Sequence, residues 1–201
     1  MTPAPRRIGI AGYMGAGKSS VARLLAGRGY ACVDADAEAK RLMNADRTMQ
    51  RRLVETFGEQ VVKAGSIDSA VLGERAFRSA GELAKLNAIV HPALLLRLQD
   101  LLESTRGRAG VVMDAALLPM WGREGLFDIL LWIRAPRPVR LARISSRVTL
   151  DPKRIRARMR LQESLLPEPP SPPWTCIDND GTVQRLTGAI NRALGLKSAG
   201  G

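Results

Sequence analysis

The segment that most constrains the fold is the glycine-rich stretch Gly12-Tyr-Met-Gly-Ala-Gly-Lys-Ser19. It matches the pattern G-x-x-x-x-G-K-[ST], in which glycines let backbone N–H groups surround a phosphate. The apolar run Arg7–Ala11 before it predicts a buried strand, and the pattern from Lys18 to Arg28 predicts a helix. A helix amino terminus adds N–H donors and the positive end of a dipole. A chance glycine-rich turn could carry the same residues, but the flanking strand and helix favour a phosphate-binding loop.

Short apolar runs alternate with helical patterns along the rest of the chain. Further strands are predicted at Tyr30–Val33, Val111–Met113, Asp128–Ile133 and Thr175–Ile177. Helical patterns dominate from Ala37 to Arg106, with breaks expected at Gly58, Gly65–Asp68, Gly81 and His91-Pro92. More helices are predicted at Arg137–Arg147, Pro152–Leu165 and Thr182–Leu194, whereas the proline-rich run Pro167–Pro173 suits neither a helix nor a central strand. This alternation predicts an α/β fold with a parallel sheet of five strands covered by helices on both faces.

The composition excludes several classes of protein. Hydrophobic residues make up 45% of the 201 residues, which is too apolar for a disordered chain. Two cysteines and one histidine exclude a disulfide framework, a four-cysteine zinc site and a histidine-rich metal centre. No apolar run approaches the length of a membrane span and no signal peptide is recognisable, so we expect a cytoplasmic protein.

The chain is strongly basic, with a net charge of +12. The positive residues are mostly arginines and are densest between Arg134 and Arg160. Arginine is suited to bidentate recognition of phosphate. The charge by itself is compatible with nucleic acid, a membrane surface or a small polyanionic substrate as partner.

Four side chains have the chemistry that phosphoryl transfer requires. In a phosphate loop, Lys18 reaches the β- and γ-phosphates and Ser19 offers its hydroxyl to Mg²⁺. Asp34 and Asp36 follow the second predicted strand, where carboxylates could accept a hydroxyl proton and hold metal-bound water. Alternatively, one of these two carboxylates caps the next helix.

Further candidates have two interpretations each. Asp114 ends the third predicted strand and either contributes to the Mg²⁺ shell or is a turn residue. His91 is either a functional group or a half-buried structural side chain. Arg140, Arg143 and Arg147 recur at spacings of three and four, which predicts one basic helix face that is either solvated or closes over phosphate.

Several segments together resemble the dephospho-coenzyme A kinase family over about residues 7–190. Besides the loop, the resemblance includes Val33-Asp-Ala-Asp36 and, after Phe57-Gly58 and Ile67-Asp68, Leu86-Asn-Ala-Ile-Val-His-Pro92. It continues through Ala135-Pro136, Arg143, Arg147, Arg158, Gln162 and Ile177-Asp-Asn-Asp-Gly181. The phosphate loop is shared by many kinases, and the segment ending in His91-Pro92 is far more specific.

The resemblance implies ATP-dependent phosphorylation of the 3′-hydroxyl of the ribose of dephospho-coenzyme A, with Mg²⁺ as cofactor. The implied fold is a P-loop kinase core formed by residues 1–36, 107–136 and 174–201. Residues 37–106 would form a helical region that binds the coenzyme A substrate, and residues 137–173 a lid. The implied partner is this small molecule, with no nucleic acid or membrane, and the enzyme is expected to be a monomer.

The resemblance also assigns individual residues. The nucleotide would be bound by Gly12, Gly15, Ala16, Gly17, Lys18, Ser19, Ser20, Arg147 and Asn179. Asn179 would lie near the adenine, although Asn-Asp-Gly is also a plain turn sequence. The catalytic residues would be Lys18, Arg143, Asp36 as general base and Asp34 in support. His91 and Asp114 would contact the acceptor substrate, and Ser19 and Asp36 would bind the metal.

The sequence departs from the family pattern at a few positions, and two alternatives stay open. Tyr13 replaces the second loop glycine, Ala116 and Met120 replace a proline and a glutamate, Ser69 replaces an arginine, and Arg140 replaces a glutamine. The loop is also close to that of shikimate kinases, but Phe57 is not followed by that family's Phe-Arg-x-x-Glu pattern. The second alternative is a regulatory nucleotide-binding protein that has lost turnover.

Overall fold

The computed structural model of the chain describes residues 6–104, 109–147, 151–166 and 172–196. Most of the proline-rich run, residues 167–171, and the tail from residue 197 lie outside these ranges. The chain forms two compact units, Met1–Val33 with Thr105–Gly201 and Asp34–Ser104. The elements in chain order are β1 (Arg6–Ala11), α1 (Lys18–Ala26), β2 (Tyr30–Asp34), α2 (Ala35–Ala45), α3 (Arg47–Phe57), β3 (Val62–Lys63), β4 (Ser66–Ile67), α4 (Ser69–Ala76), α5 (Ala80–Glu103), β5 (Gly110–Asp114), β6 (Ile129–Arg134), α6 (Arg137–Ser145), α7 (Pro152–Leu165), β7 (Trp174–Asp178) and α8 (Val183–Ala193).

The first unit is built on a five-stranded sheet with the strand order β2-β5-β1-β6-β7. β1 lies in the centre and pairs in parallel with β5, from Arg6 opposite Gly110, and with β6, from Ile8 opposite Ile129. β7 extends the sheet by parallel pairing with β6. The five predicted strands and the α/β fold are therefore confirmed.

The central strand is apolar because both of its faces are covered. Ile8 and Ile10 are fully buried and pack in one cluster with residues of α1 and α8, among them Leu25 and Ile190. On the opposite face, a Cβ atom at Gly9 would come within 2.7 Å of the Leu118 and Leu130 side chains, so a larger residue there would have to displace these leucines.

The second unit contains α2 to α5 and the short β3–β4 hairpin. Each of these helices begins at a side chain that accepts a hydrogen bond from a backbone N–H of the first turn. These caps are Asp34, Asp46, Asp68 and Ser79. None of the described helices is long and apolar enough to cross a membrane.

The sequence-based prediction for this unit is wrong at two points. α5 runs without a break through Pro92, because Val90, Leu94 and Leu98 are buried on both sides of it and their packing offsets the lost hydrogen bond. Gly81 lies within the first turn of α5 rather than at a break. The break at Gly65 is present, but it is the turn of a two-stranded hairpin that the helical pattern did not predict.

Candidate active site

The loop between β1 and α1 presents a row of free backbone donors. The N–H groups of Gly15, Gly17, Lys18 and Ser19 donate no hydrogen bond to any protein group in the part of the chain that the structure describes. The half-buried Lys18 ammonium likewise donates no hydrogen bond to a protein group among the described residues. Ser19 is exposed at the start of α1. Free N–H groups, a helix amino terminus and a lysine form a site for an anion such as a phosphate chain.

Two loop glycines are required by the groups that pack against them. Gly15 has φ +78°, and a Cβ atom there would come within 2.6 Å of the Arg140 carbonyl oxygen. Gly17 has φ +95°, and its Cβ would lie 2.1 Å from Nδ2 of Asn179. Both conformations are unfavourable for residues with a side chain, so any substitution would distort the loop.

Arg143 and Asn179 hold the loop through its carbonyl oxygens. Nδ2 of the buried Asn179 donates to the Ala16 carbonyl oxygen at 2.8 Å. Arg143 donates to the Asn179 carbonyl oxygen at 2.9 Å, and its Nη1 lies 3.3 Å from the Ala16 carbonyl oxygen and 3.4 Å from that of Gly15. These bonds fix the peptide planes of the loop and so the direction of its N–H groups. Asn179 is therefore more than a plain turn residue.

The carboxyl-terminal end of α7 also contacts the loop. The Tyr13 hydroxyl donates to the Leu166 carbonyl oxygen at 2.7 Å, and the Met14 N–H donates to Oε1 of Gln162 at 2.7 Å. The Tyr13 ring packs edge-on against Trp132 with 5.3 Å between centroids. Gln162 is part of the family resemblance but has no role assigned from the sequence, because no pattern near it in the chain indicates a contact with a loop 148 residues away.

The three arginines of the predicted basic face have different environments. Arg140 is only 5% exposed, lies over the Tyr13 ring, and donates to Glu163 at 2.7 Å. Arg143 donates to the loop carbonyl oxygens, and Arg147 is exposed just after α6. The basic helix face is therefore not uniform, because protein groups already compensate the charges of Arg140 and Arg143. Arg140 could not be paired with Glu163 from the sequence, because the two residues are 23 positions apart.

Asp114 lies beside the loop at the carboxyl end of the sheet. It is the half-buried last residue of β5, and its Cα pairs with that of Ile10, two residues before Gly12. The Ala115 N–H donates to the Ile10 carbonyl oxygen at 3.0 Å, which fixes this strand end against β1.

The remaining predicted residues belong to the second unit. Oδ1 of Asp34 accepts a hydrogen bond from the Ala37 N–H at 3.0 Å, so Asp34 is the amino-terminal cap of α2. Asp36 is exposed in the first turn of the same helix. His91 lies half-buried within α5, and removal of water lowers the pKa of its imidazole below the ordinary value of 6.5.

Comparison with known proteins identifies the family. The family model for dephospho-CoA kinases matches residues 6–184. The chain belongs to the dephospho-CoA kinase family. The dephospho-CoA kinases of Deinococcus radiodurans and Thermobifida fusca are 38% and 33% identical to it, covering 94% and 92% of this chain and 91% and 92% of their own. TT1252 from Thermus thermophilus superimposes with a TM-score of 0.72 at 31% identity, covering 98% of this chain and 99% of that one.

Family membership decides between the two kinase interpretations that the loop sequence had left open. The fold and the loop are those of a P-loop kinase, which uses ATP, and the match is to dephospho-CoA kinases rather than to shikimate kinases.

Proposed function

We propose that this protein transfers the γ-phosphoryl group of ATP to the 3′-hydroxyl of the ribose of dephospho-CoA. The products are ADP and coenzyme A, so the reaction is the last step of coenzyme A synthesis. The observation that carries the proposal is the phosphate loop with its free N–H groups, held by Arg143 and Asn179, in a chain whose residues 6–184 match the family.

The nucleotide is bound mainly by the loop from Gly12 to Ser20. Its N–H groups hold the phosphate oxygens, and Lys18 places a positive charge where negative charge develops on the transferred group. Arg147 is exposed and can turn toward the phosphates as part of a lid spanning residues 137–173. Asn179 uses Nδ2 on the loop, which leaves Oδ1 as the atom for an adenine amino group.

The available donors fit a Mg²⁺ ion bound together with the nucleotide. No group of three His, Cys, Asp or Glu side chains that could hold a metal is found in residues 6–104, 109–147, 151–166 and 172–196. Mg²⁺ in kinases needs no such cage, because it is held by one or two carboxylates, the phosphates and water. The Ser19 hydroxyl and the Asp36 carboxylate are exposed and can serve, and the ion would neutralise charge on the phosphates.

The acceptor chemistry falls to Asp36. Its exposed carboxylate removes the proton from the ribose 3′-hydroxyl as the oxygen attacks the γ-phosphorus and ADP leaves. Asp34 supports it by fixing the start of α2. Residues 37–106 form the helical substrate region, in which His91 contributes to dephospho-CoA binding, and Asp114 contributes from the core formed by residues 1–36, 107–136 and 174–201.

We propose a monomeric cytoplasmic enzyme that does not bind nucleic acid. Part of the dense arginine segment already has partners within the chain, since Arg134 pairs with Asp178 at the surface, Arg140 with Glu163, and Arg143 with loop carbonyl oxygens. This leaves less of the charge for a polynucleotide. Salt-dependent binding to DNA of arbitrary sequence would contradict the proposal that the protein does not bind nucleic acid.

A regulatory nucleotide-binding protein without turnover is the second candidate. It is favoured by one observation, the replacement of the family's proline and glutamate after Asp114 by Ala116 and the 47% exposed Met120. The complete loop, with Lys18 and Ser19 in place, favours the active kinase.

A coupled ADP-release assay tests the two candidates. We expect ADP release with dephospho-CoA and not with shikimate, gluconate or adenosine. Lys18→Ala should lower kcat by at least about 10²–10³ through loss of charge stabilisation, with an unchanged unfolding temperature. Lys63→Ala on β3 removes the same charge from an exposed position and should leave turnover intact. ATP binding without ADP release from any acceptor would favour the regulatory protein.

A further inference from the structure

The last turn of α7 forms one side of the phosphate loop. The Met14 N–H bonds to Gln162, the Tyr13 hydroxyl bonds to Leu166, and the Met14 side chain packs on Ile155 and Met159 of the same helix. The N–H groups of Gly15, Gly17, Lys18 and Ser19, which follow these two residues, are those available to phosphate in the part of the chain that the structure describes. α7 thus holds the two residues that enter the anion-binding part of the loop.

We infer that Gln162 is a positioning residue for ATP. By accepting the Met14 N–H, Oε1 of Gln162 fixes the Tyr13–Met14 peptide plane, one peptide before the one that carries the Gly15 N–H, and so restricts the direction of the donors that follow. The inference rests on the proposed function only in that ATP is the nucleotide. It requires no contact between Gln162 and the phosphates.

Gln162 can act in this way because its end of α7 is firmly anchored. The next residue, Glu163, bonds to the buried Arg140, whose guanidinium lies 4.8 Å from the Tyr13 ring centroid. Arg140 also donates through Nε to the Ala135 carbonyl oxygen at 3.1 Å. The arginine and the tyrosine, both departures from the family pattern, therefore connect α6, α7 and the loop in one cluster.

Titration with a non-hydrolysable ATP analogue tests the inference without requiring turnover. In Gln162→Leu, we expect the Kd for the analogue and the KM for ATP to rise about three- to tenfold, the usual worth of one hydrogen bond. The KM for dephospho-CoA should stay within about twofold of the wild-type value, because the change acts on the ATP side. Ser164→Ala, which removes a hydroxyl that donates to the Leu161 carbonyl oxygen of the same helix, is the matched control and should leave the Kd unchanged.

Two outcomes would overturn the inference. A folded Gln162→Leu variant with a lower unfolding temperature but an unchanged Kd for the analogue would reduce Gln162 to a packing role. If Gln162→Leu does not fold, Gln162→Met replaces it, because methionine also lacks the amide oxygen that accepts the Met14 N–H and keeps an unbranched side chain of similar length. We expect a weaker Kd there as well, and an unchanged Kd would equally overturn the inference. If the wild type binds the analogue but never phosphorylates dephospho-CoA, the proposed function fails while this titration still tests Gln162.

Discussion

Asp34 and Asp36 are two residues apart, yet the structure predicts different consequences for replacing them. Asp34 caps α2 through a hydrogen bond of 3.0 Å from the Ala37 N–H, whereas Asp36 is an exposed residue of the first turn. Replacing an aspartate cap by alanine costs about 1 kcal/mol, within a range of about 0.5–2 kcal/mol. For a chain of 201 residues, this corresponds to a fall of roughly 2–4 °C in the unfolding temperature of Asp34→Ala.

Asparagine separates the capping role of Asp34 from its charge. Asn caps helices about as well as Asp, so Asp34→Asn should lose only the favourable interaction with the helix dipole, about 0.3–1 kcal/mol. If Asp34 also supports the reacting groups, its kcat should fall about 10- to 100-fold, the usual effect of an outer-shell carboxylate. Asp36→Asn should lower kcat by about 10²–10⁴, because it removes the general base, with a small fall in unfolding temperature like that of Asp34→Asn, because it too removes a carboxylate charge from the start of α2.

Thermal unfolding and steady-state kinetics with dephospho-CoA, measured on the same preparations, distinguish the capping role of Asp34 from the general-base role of Asp36. Asp46→Ala is the matched control, because Asp46 caps α3 in the same unit by accepting from the Thr48 and Met49 N–H groups. It should lower the unfolding temperature as Asp34→Ala does and leave kcat unchanged. An unchanged unfolding temperature in Asp34→Ala would refute the capping argument, and a larger kcat loss in Asp34→Asn than in Asp36→Asn would reverse the assignment of the base.

Three further predictions concern the arginines and the histidine. Arg140→Ala should lower the free energy of unfolding by about 2 kcal/mol. This is less than the roughly 3–5 kcal/mol lost when a fully buried pair is broken, because Glu163 keeps contact with water. Arg140→Lys should not recover the lost stability in thermal unfolding. Arg143→Ala should weaken binding of an ATP analogue by about tenfold, since a charged donor to the loop is lost, and calorimetric titration that finds equal affinity would contradict this. Burial lowers the pKa of His91, so on acidification the imidazole is protonated first in the unfolded chain, and folding stability is lost as pH falls below 6.5. Between pH 7.5 and pH 5.5, the unfolding temperature of His91→Gln should therefore fall less than that of the wild type.

The predictable parts of the fold are those set by local pattern. Ile8–Ala11 is apolar throughout because this part of β1 is buried on both faces, and the glycine spacing after it follows from the loop that it enters. The continuity of α5 could not be predicted, because Pro92 is a strong local signal and its compensation comes from packing of residues on either side. Each strand of the β3–β4 hairpin is only two residues long, which is too short to show the period-two alternation of apolar and polar residues.

The predictable part of the candidate site is the part that one short motif contains. Lys18 and Ser19 are assigned by their spacing from the loop glycines. Asn179 enters the prediction only through the family resemblance, and no spacing indicates the contacts of Gln162 or Glu163, because all three residues reach their partners across long stretches of chain. Arg140 looked like one more surface cation, since nothing near it in the sequence indicates burial against Tyr13.

The long-range hydrogen bonds of the loop have a consequence for synthesis on the ribosome. The partners of Tyr13, Met14 and Ala16 follow them by 153, 148 and 163 residues. At about 5–20 residues per second, roughly 10–30 s separate translation of the loop from translation of Asn179. A nascent or truncated chain that stops before Gln162 carries the whole phosphate-binding motif without the residues that hold it in shape. We therefore expect full nucleotide affinity only after Gln162, Leu166 and Asn179 have been translated.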